Sequence, residues 1–149
     1  MITILSVTKV ITRDDCFKHI EFPFVVDKEY RKLVVFYDYS PKDYDGSDAY
    51  EMALNAFKEA YGKYSFNEEE IKNELPLKNH VTISISKDDK LIGTAHRHAN
   101  ALTMEIGGEF ATEGCHKTKI IPGNYSVVLS AHAVLSEKIV ANVRVVAYE

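Results

Sequence analysis

Two histidines one residue apart, His96 and His98, flank Arg97 in the segment Ala-His-Arg-His, and this spacing suits metal chemistry. On an extended strand, residues two apart point to the same side, so both imidazoles would share one face and Arg97 would lie on the other. Imidazole nitrogens bind Zn²⁺, but a structural zinc site takes four ligands and a catalytic site three plus water. The pair therefore needs at least one further ligand from elsewhere in the chain.

One possible function is therefore that of a metal-dependent hydrolase in which His96, His98 and His132 hold Zn or another divalent metal. In this alternative His132 is the further ligand. The alternation around His132 opposes that assignment, because it places the imidazole on the outer side of its strand. The inward positions of that strand are Tyr125, Val127, Leu129 and Ala131. The other available donors are His116, Glu105 and Cys115. We expect no cofactor and keep the metal as the alternative.

The residues His96, Arg97, His98 and His132 are also our candidate binding residues without a metal. The imidazoles either form hydrogen bonds at the rim of a sheet or, with Arg97, supply positive charge to an anion pocket. We assign no catalytic residue. The chain has no Gly-x-Ser-x-Gly nucleophile elbow, and adjacent cysteine and histidine side chains at 115 and 116 would point apart on a strand.

The elements that must position these residues are mainly strands. Positions 2–12 are rich in β-branched residues, and strict alternation covers 19–26, where Pro23 predicts an edge strand or a bulge because it lacks an N–H donor. Positions 32–40 are apolar on both faces, which is typical of a central strand. Apolar residues recur at every second position over 81–85 and 139–147, so each segment is predicted to be a strand with one inward face, and Thr82 is predicted to face solvent. Short strands without regular β-α alternation indicate an antiparallel β-sandwich or jelly roll, one domain over residues 1–149.

A short helical hairpin interrupts the strands at about 47–75. Apolar residues recur there at helical spacing. Asp48 and Glu51 predict a capping box at the start of the first helix and Gly62 predicts its end, while a second, shorter helix begins after Asn67. The apolar stripe consists of Tyr50, Ala53, Leu54, Phe57 and Tyr61.

Charge and composition exclude several classes of partner. The net charge is −4, and residues 41–74 hold nine acids and four lysines, so no basic stripe is available for nucleic acid. No apolar run approaches the ~20 residues of a membrane-spanning helix. The first residues do not resemble a signal peptide, so we expect a cytoplasmic protein. Cys16 and Cys115 are expected to be free thiols.

The tyrosines raise a further alternative, a carbohydrate-binding sandwich, because the chain has nine tyrosines and no tryptophan. Exposed tyrosines in a flat row would form a platform for sugar rings. Most of them crowd around the helical insertion, where we expect them to pack helix against sheet. These residues are Tyr37, Tyr39, Tyr44, Tyr50, Tyr61 and Tyr64.

Three motifs in a fixed order carry a resemblance to a known family. They are Leu-Pro-Leu-Lys-Asn at 75–79, Ala-His-Arg-His at 95–98 and Ser-Ala-His-Ala-Val at 130–134, and they follow an acidic helical insert. Together they resemble the β-sandwich that precedes the catalytic domain in the CehA/McbA branch of PHP-type metallophosphoesterases. The resemblance implies a non-catalytic accessory module. Its expected partner is another protein, either a separately encoded PHP enzyme or a second copy of itself.

Overall fold

The computed structural model describes residues 1–62, 67–95 and 99–149, which form two antiparallel sheets around one core. The elements within these ranges are β1 (Ile2–Thr12), β2 (His19–Val26), β3 (Lys32–Ser40), β4 (Asp43–Tyr44), α1 (Ala49–Tyr61), α2 (Glu68–Lys72), β5 (Leu77–Lys78), β6 (His80–Lys87), β7 (Lys90–Ala95), β8 (Ala101–Gly107), β9 (Gly123–Ala133) and β10 (Lys138–Tyr148).

The first sheet has the strand order β1-β10-β3-β8 and the second β2-β9-β6-β7, with every neighbouring pair antiparallel. A short ribbon of β4 and β5 stands at the base of the two helices. The predicted β-sandwich with a short helical insertion is therefore confirmed.

Alternation along the strands builds the core, because successive side chains point to opposite faces. The predicted inward residues of β2, β9 and β10 are buried or half-buried, whereas their outward neighbours Glu21, His132 and Asn142 are exposed. Pro23 lies in an edge strand, as predicted, and β3 is a central strand between β10 and β8. The largest fully buried core side chains include Ile11, Leu33, Ile83, Ile85, Met104, Ile106, Leu129 and Ile139.

The connection between β8 and β9 covers the two sheet edges on one side of the sandwich. It accepts a hydrogen bond from Thr94 N of β7 at Gly114 O (3.2 Å), and its Thr112 N donates to Glu105 O of β8 (2.9 Å). Gly114 has φ +92°, a left-handed conformation that glycine adopts without steric cost. On the opposite side of the sandwich, the edge strands of the two sheets are β1 and β2.

The helical insertion matches the predicted boundaries but not the predicted capping box. α1 follows Asp48 and ends before Gly62, but Asp48 makes no side-chain cap because its carboxylate accepts a hydrogen bond from the Tyr44 hydroxyl. Gly62 has φ −56°, so it ends the helix without a left-handed residue. At α2 the predicted start is confirmed, since the Asn67 side chain accepts a hydrogen bond from Glu70 N (2.9 Å).

Asn79, at the start of β6, is fully buried and joins three parts of the chain. Its Oδ1 accepts hydrogen bonds from Leu135 N (2.8 Å) and Ser136 N (3.3 Å), and its Nδ2 donates to Pro41 O (3.0 Å) and Ser136 Oγ (2.8 Å). Its carbonyl oxygen accepts a hydrogen bond from the Tyr39 hydroxyl (3.3 Å). One amide thus connects the end of β3, the start of β6 and the connection between β9 and β10.

We predict that Asn79→Ala lowers the free energy of unfolding by about 3–5 kcal/mol, since several buried backbone and hydroxyl groups lose their partner together. Urea denaturation measures this change. Asn124→Ala is the matched control, because Asn124 is exposed on β9 and its replacement should cost less than about 0.5 kcal/mol. Equal losses in the two variants would contradict the role of Asn79.

Candidate functional site

Of the predicted site residues, His132 lies within the described part of the chain, whereas His96, Arg97 and His98 lie outside the described residues. His132 is near the end of β9 and is exposed on the outer face of the second sheet, while its neighbour Ala131 is buried. The face that alternation predicted for His132 is therefore confirmed.

The ring of His132 lies over Thr82 and beside His80. Its Nε2 is 2.9 Å from Thr82 Oγ1, within hydrogen-bond distance, and the centroids of the His132 and His80 rings are 5.2 Å apart. Thr82 faces outward between inward Val81 and Ile83, yet it is only 5% exposed. The contact with His132 therefore supplies a partner to a hydroxyl that water barely reaches.

A second imidazole–hydroxyl pair lies next to the first. His19 Nδ1 of β2 is 2.8 Å from Ser130 Oγ of β9. The register of the strands aligns His19 with Ser130 and Ser130 with Thr82, so the three form a row across β2, β9 and β6. We call the surface formed by His19, His80, Thr82, Ser130 and His132 the histidine face.

The sequence indicated part of the histidine face. Alternation in β6 predicted that Thr82 faces solvent, and alternation in β9 predicted the same for His132. His19 and His80 were missed as site residues, because nothing in their own segments shows which strands become neighbours. The cross-strand register brings these residues together, and it depends on contacts between segments far apart in the chain.

The Ser130–His19 pair resembles a nucleophile beside a base, which is the arrangement of covalent hydrolases. Acyl transfer also requires hydrogen-bond donors aimed at the developing oxyanion. Ser130 lies within β9, which is paired with β2 on one side and β6 on the other. The backbone N–H groups of such a central strand are used in the two ladders. The pair therefore lacks the donors of an oxyanion hole within the described strands.

The described residues contain no group of three or more His, Cys, Asp or Glu side chains arranged to hold a metal. Two of the further donors considered from the sequence are already engaged: Glu105 Oε1 binds Lys32 Nζ (2.6 Å), and Cys115 Sγ is 3.8 Å from Met104 Sδ. The set His96, His98 and His132 stays a prediction, since two of its members lie outside the described ranges.

Cys115 is also a poor candidate for a nucleophile. Burial raises the pKa of the Cys115 thiol, which reduces the fraction of reactive thiolate at neutral pH. The thiol is packed closely against the backbone of β7: a Cβ placed on Gly93 would lie 2.4 Å from its Sγ. Cys115 therefore acts as a packing residue between the β8–β9 connection and β7.

Several tyrosines pack inside the sandwich. Tyr37 and Tyr39 are buried, and their hydroxyls donate to Val81 O (2.8 Å) and Asn79 O (3.3 Å). Burial raises the pKa of Tyr37. Among the tyrosines that the structure describes, only Tyr61 is exposed, at 53%. These tyrosines do not form the flat row that sugar stacking would require.

Phe17 stands beside the histidine face and was not indicated by the sequence. Its side chain is 84% exposed, and its backbone has φ 69°, in the left-handed region. Hydrogen bonds fix this conformation: Phe17 N donates to Ala131 O (2.6 Å), and Ala131 N donates to Lys18 O (3.0 Å). Ala131 lies between Ser130 and His132, so the backbone of Phe17 is bonded to the stretch of β9 that carries one residue of each imidazole–hydroxyl pair.

Comparison with models of known protein families and with curated proteins finds no match to this sequence. Within the described ranges, no helix combines the length and the apolar character needed to cross a membrane.

We predict that His132→Ala lowers the free energy of unfolding by about 1–2 kcal/mol, because the poorly exposed hydroxyl of Thr82 loses its partner. His19→Ala is the matched control: its imidazole is exposed, water can replace it at Ser130, and the expected loss is below about 0.5 kcal/mol. Chemical denaturation compares the two variants. A larger loss for His19→Ala would reverse this interpretation.

Proposed function

We propose that this domain is a non-catalytic binding module that docks to a protein partner through the histidine face, with Phe17 as the aromatic anchor. The observation that carries the proposal is the conformation of Phe17: a large apolar ring, 84% exposed, on a backbone held at φ 69°.

The left-handed conformation is unfavourable for a bulky side chain and costs about 1–2 kcal/mol. With the Phe17 ring exposed, its burial repays little of that cost within the domain. Strained residues cluster at functional sites, and exposed aromatic rings are the anchors of many protein interfaces. An aromatic residue on a fixed backbone also loses little conformational freedom when a partner covers it.

The histidine face supplies polar contacts next to this anchor. Neutral imidazoles and hydroxyls both donate and accept hydrogen bonds, so the face suits the polar part of a protein interface. The strand positions around it carry little charge: β6 presents Ser84 and Ser86 after Thr82, β9 presents Ser126 and Val128, and β2 presents one carboxylate, Glu21, beside His19. Docking on such a surface requires little desolvation of charge.

The family resemblance supports the choice of partner. A sandwich that resembles the accessory part of PHP-type phosphoesterases is expected to dock on an enzyme of that type. A second copy of this domain is the other expected partner. Both partners would use the same surface, and the test below distinguishes them.

The test uses a photo-crosslinking amino acid at Lys18, which is exposed next to Phe17. In cells of the source organism we expect one dominant crosslinked product, identified by mass spectrometry as a second copy or another protein. Phe17→Gly should abolish most of this product. The matched substitution Phe110→Gly, which removes another exposed ring (56%), should leave it intact. A crosslinker at Val10, on β1, should not give the product.

Stability separates loss of a partner from loss of the fold. Phe17→Gly should leave the free energy of unfolding unchanged or raise it by up to about 1 kcal/mol, because glycine adopts the left-handed region freely. Phe110→Gly should lower it by about 0.5–1 kcal/mol. A crosslinked product that persists in Phe17→Gly, or a clear loss of stability in that variant, would overturn the proposal.

A further inference from the structure

A cleft of about 560 Å³ lies at the other end of β2 from the histidine face. Its walls are the connection from β2 to β3, the end of β8 and the residues just before β9, and its volume is within the range of small-molecule sites, roughly 300–1,000 Å³. The buried residues Tyr30, Gly107 and Ile120 contribute to its lining. The cleft is independent of the proposed docking surface.

Backbone hydrogen bonds hold the walls in place. Tyr30 N donates to Ile120 O (3.0 Å), Gly107 N donates to Phe110 O (2.8 Å), and Thr118 N donates to Gly107 O (2.9 Å). A Cβ on Gly107 would lie 2.8 Å from Arg31 O, so the two walls approach each other closely at this point. The cleft is therefore preformed, which reduces the cost of ordering it around a ligand.

The charged side chains of the cleft are balanced in number but not all paired. Lys32 pairs with Glu105 (2.6 Å), and Lys119 pairs with Glu29 (3.4 Å). Two further charged residues also line the cleft, Arg31 and Glu109. Within the described ranges, no ion pair or side-chain hydrogen bond involves either of them. The residues that line the cleft thus include one guanidinium and one carboxylate that no other described side chain engages.

An apolar surface accompanies these two charges. Phe110 lines the cleft and is 56% exposed, and Gly108, which also lines it, contributes no side chain. A ligand that satisfies all three groups carries a carboxylate for Arg31, an ammonium for Glu109 and an apolar body for Phe110. Guanidinium–carboxylate contacts are strong because both partners are charged and the geometry is bidentate.

We infer that the cleft binds a small zwitterion with an apolar side chain, of the chemical class of the free hydrophobic α-amino acids. The carboxylate contacts Arg31, the ammonium contacts Glu109, and the side chain packs against Phe110. A capped amino acid, which carries only one of the two charges, leaves Arg31 or Glu109 without its partner and binds more weakly.

The test is a titration of the ¹⁵N-labelled full chain with L-phenylalanine, followed by NMR through the amides of Gly107 and Gly108. We expect saturable binding with a Kd of about 1 mM or tighter. N-acetyl-L-phenylalanine lacks the ammonium and L-phenylalaninamide lacks the carboxylate, and each should bind about tenfold more weakly or worse. Absence of saturable binding, or equal binding of the capped compounds, would overturn the inference.

Two variants test which charged group of the ligand Arg31 and Glu109 each contact. Arg31→Gln should weaken L-phenylalanine binding about tenfold and remove the preference over the amide, while Glu109→Gln should remove the preference over the acetylated compound. The controls are Arg144→Gln, whose guanidinium lies over the Phe36 ring on the outer face of the first sheet, and Glu137→Gln, in the connection from β9 to β10. Equal weakening by the control variants would also overturn the inference.

A third variant tests whether the ligand occupies the cleft. A Cβ on Gly108 would meet only the Cα of Lys119, at 3.9 Å, so Gly108→Leu is sterically tolerated and places a side chain beside a residue of the opposite wall. It should abolish binding and keep the melting temperature of the wild type. Undiminished binding in a folded Gly108→Leu variant would contradict the location of the site.

Discussion

The buried amide of Asn79 must find a partner for each of its hydrogen-bonding groups, and the way it does so organises one end of the sandwich. It binds the connection between β9 and β10 on one side and the end of β3 on the other. The next residue, His80, begins β6 opposite Ala133, so this fixed point holds the first residue of β6 against the end of β9. The register shifts between His80 and Val81, and after the shift Thr82 lies opposite Ser130 and within hydrogen-bond distance of His132. The histidine face thus depends on an amide that is not part of it.

Alternation explains which properties of the fold the sequence could predict. Residues such as Ile83 and Leu129 recur every second position, so the inward face of each strand follows from its own segment. Pro23 marked an edge for an equally local reason, because it lacks a donor. The predicted capping box failed because a side chain outside the capping pattern competed: the hydroxyl of Tyr44, four residues before Asp48, donates to its carboxylate. Local patterns predict elements and faces, but they do not predict which side chains compete for a polar group.

The contacts of the candidate site could not be predicted from local sequence patterns. His132 was placed correctly on its strand, but its contacts with Thr82 and His80 come from the pairing of β6 with β9. Phe17 follows a single turn of 3₁₀-helix (Arg13–Asp15), and a hydrogen bond to Ala131, more than a hundred residues away, holds its backbone at positive φ. Such features are set by the closure of the two sheets around the core, which no single segment of sequence contains.

We propose that the histidine face binds a protein partner and does not catalyse a reaction. The metal content of protein purified without a histidine tag tests this proposal most directly. Elemental analysis should find far less than one transition-metal ion per chain, with the same value in wild type and in His132→Ala. One tightly held ion per wild-type chain that is lost in His132→Ala would contradict the claim and would establish His132 as a metal ligand.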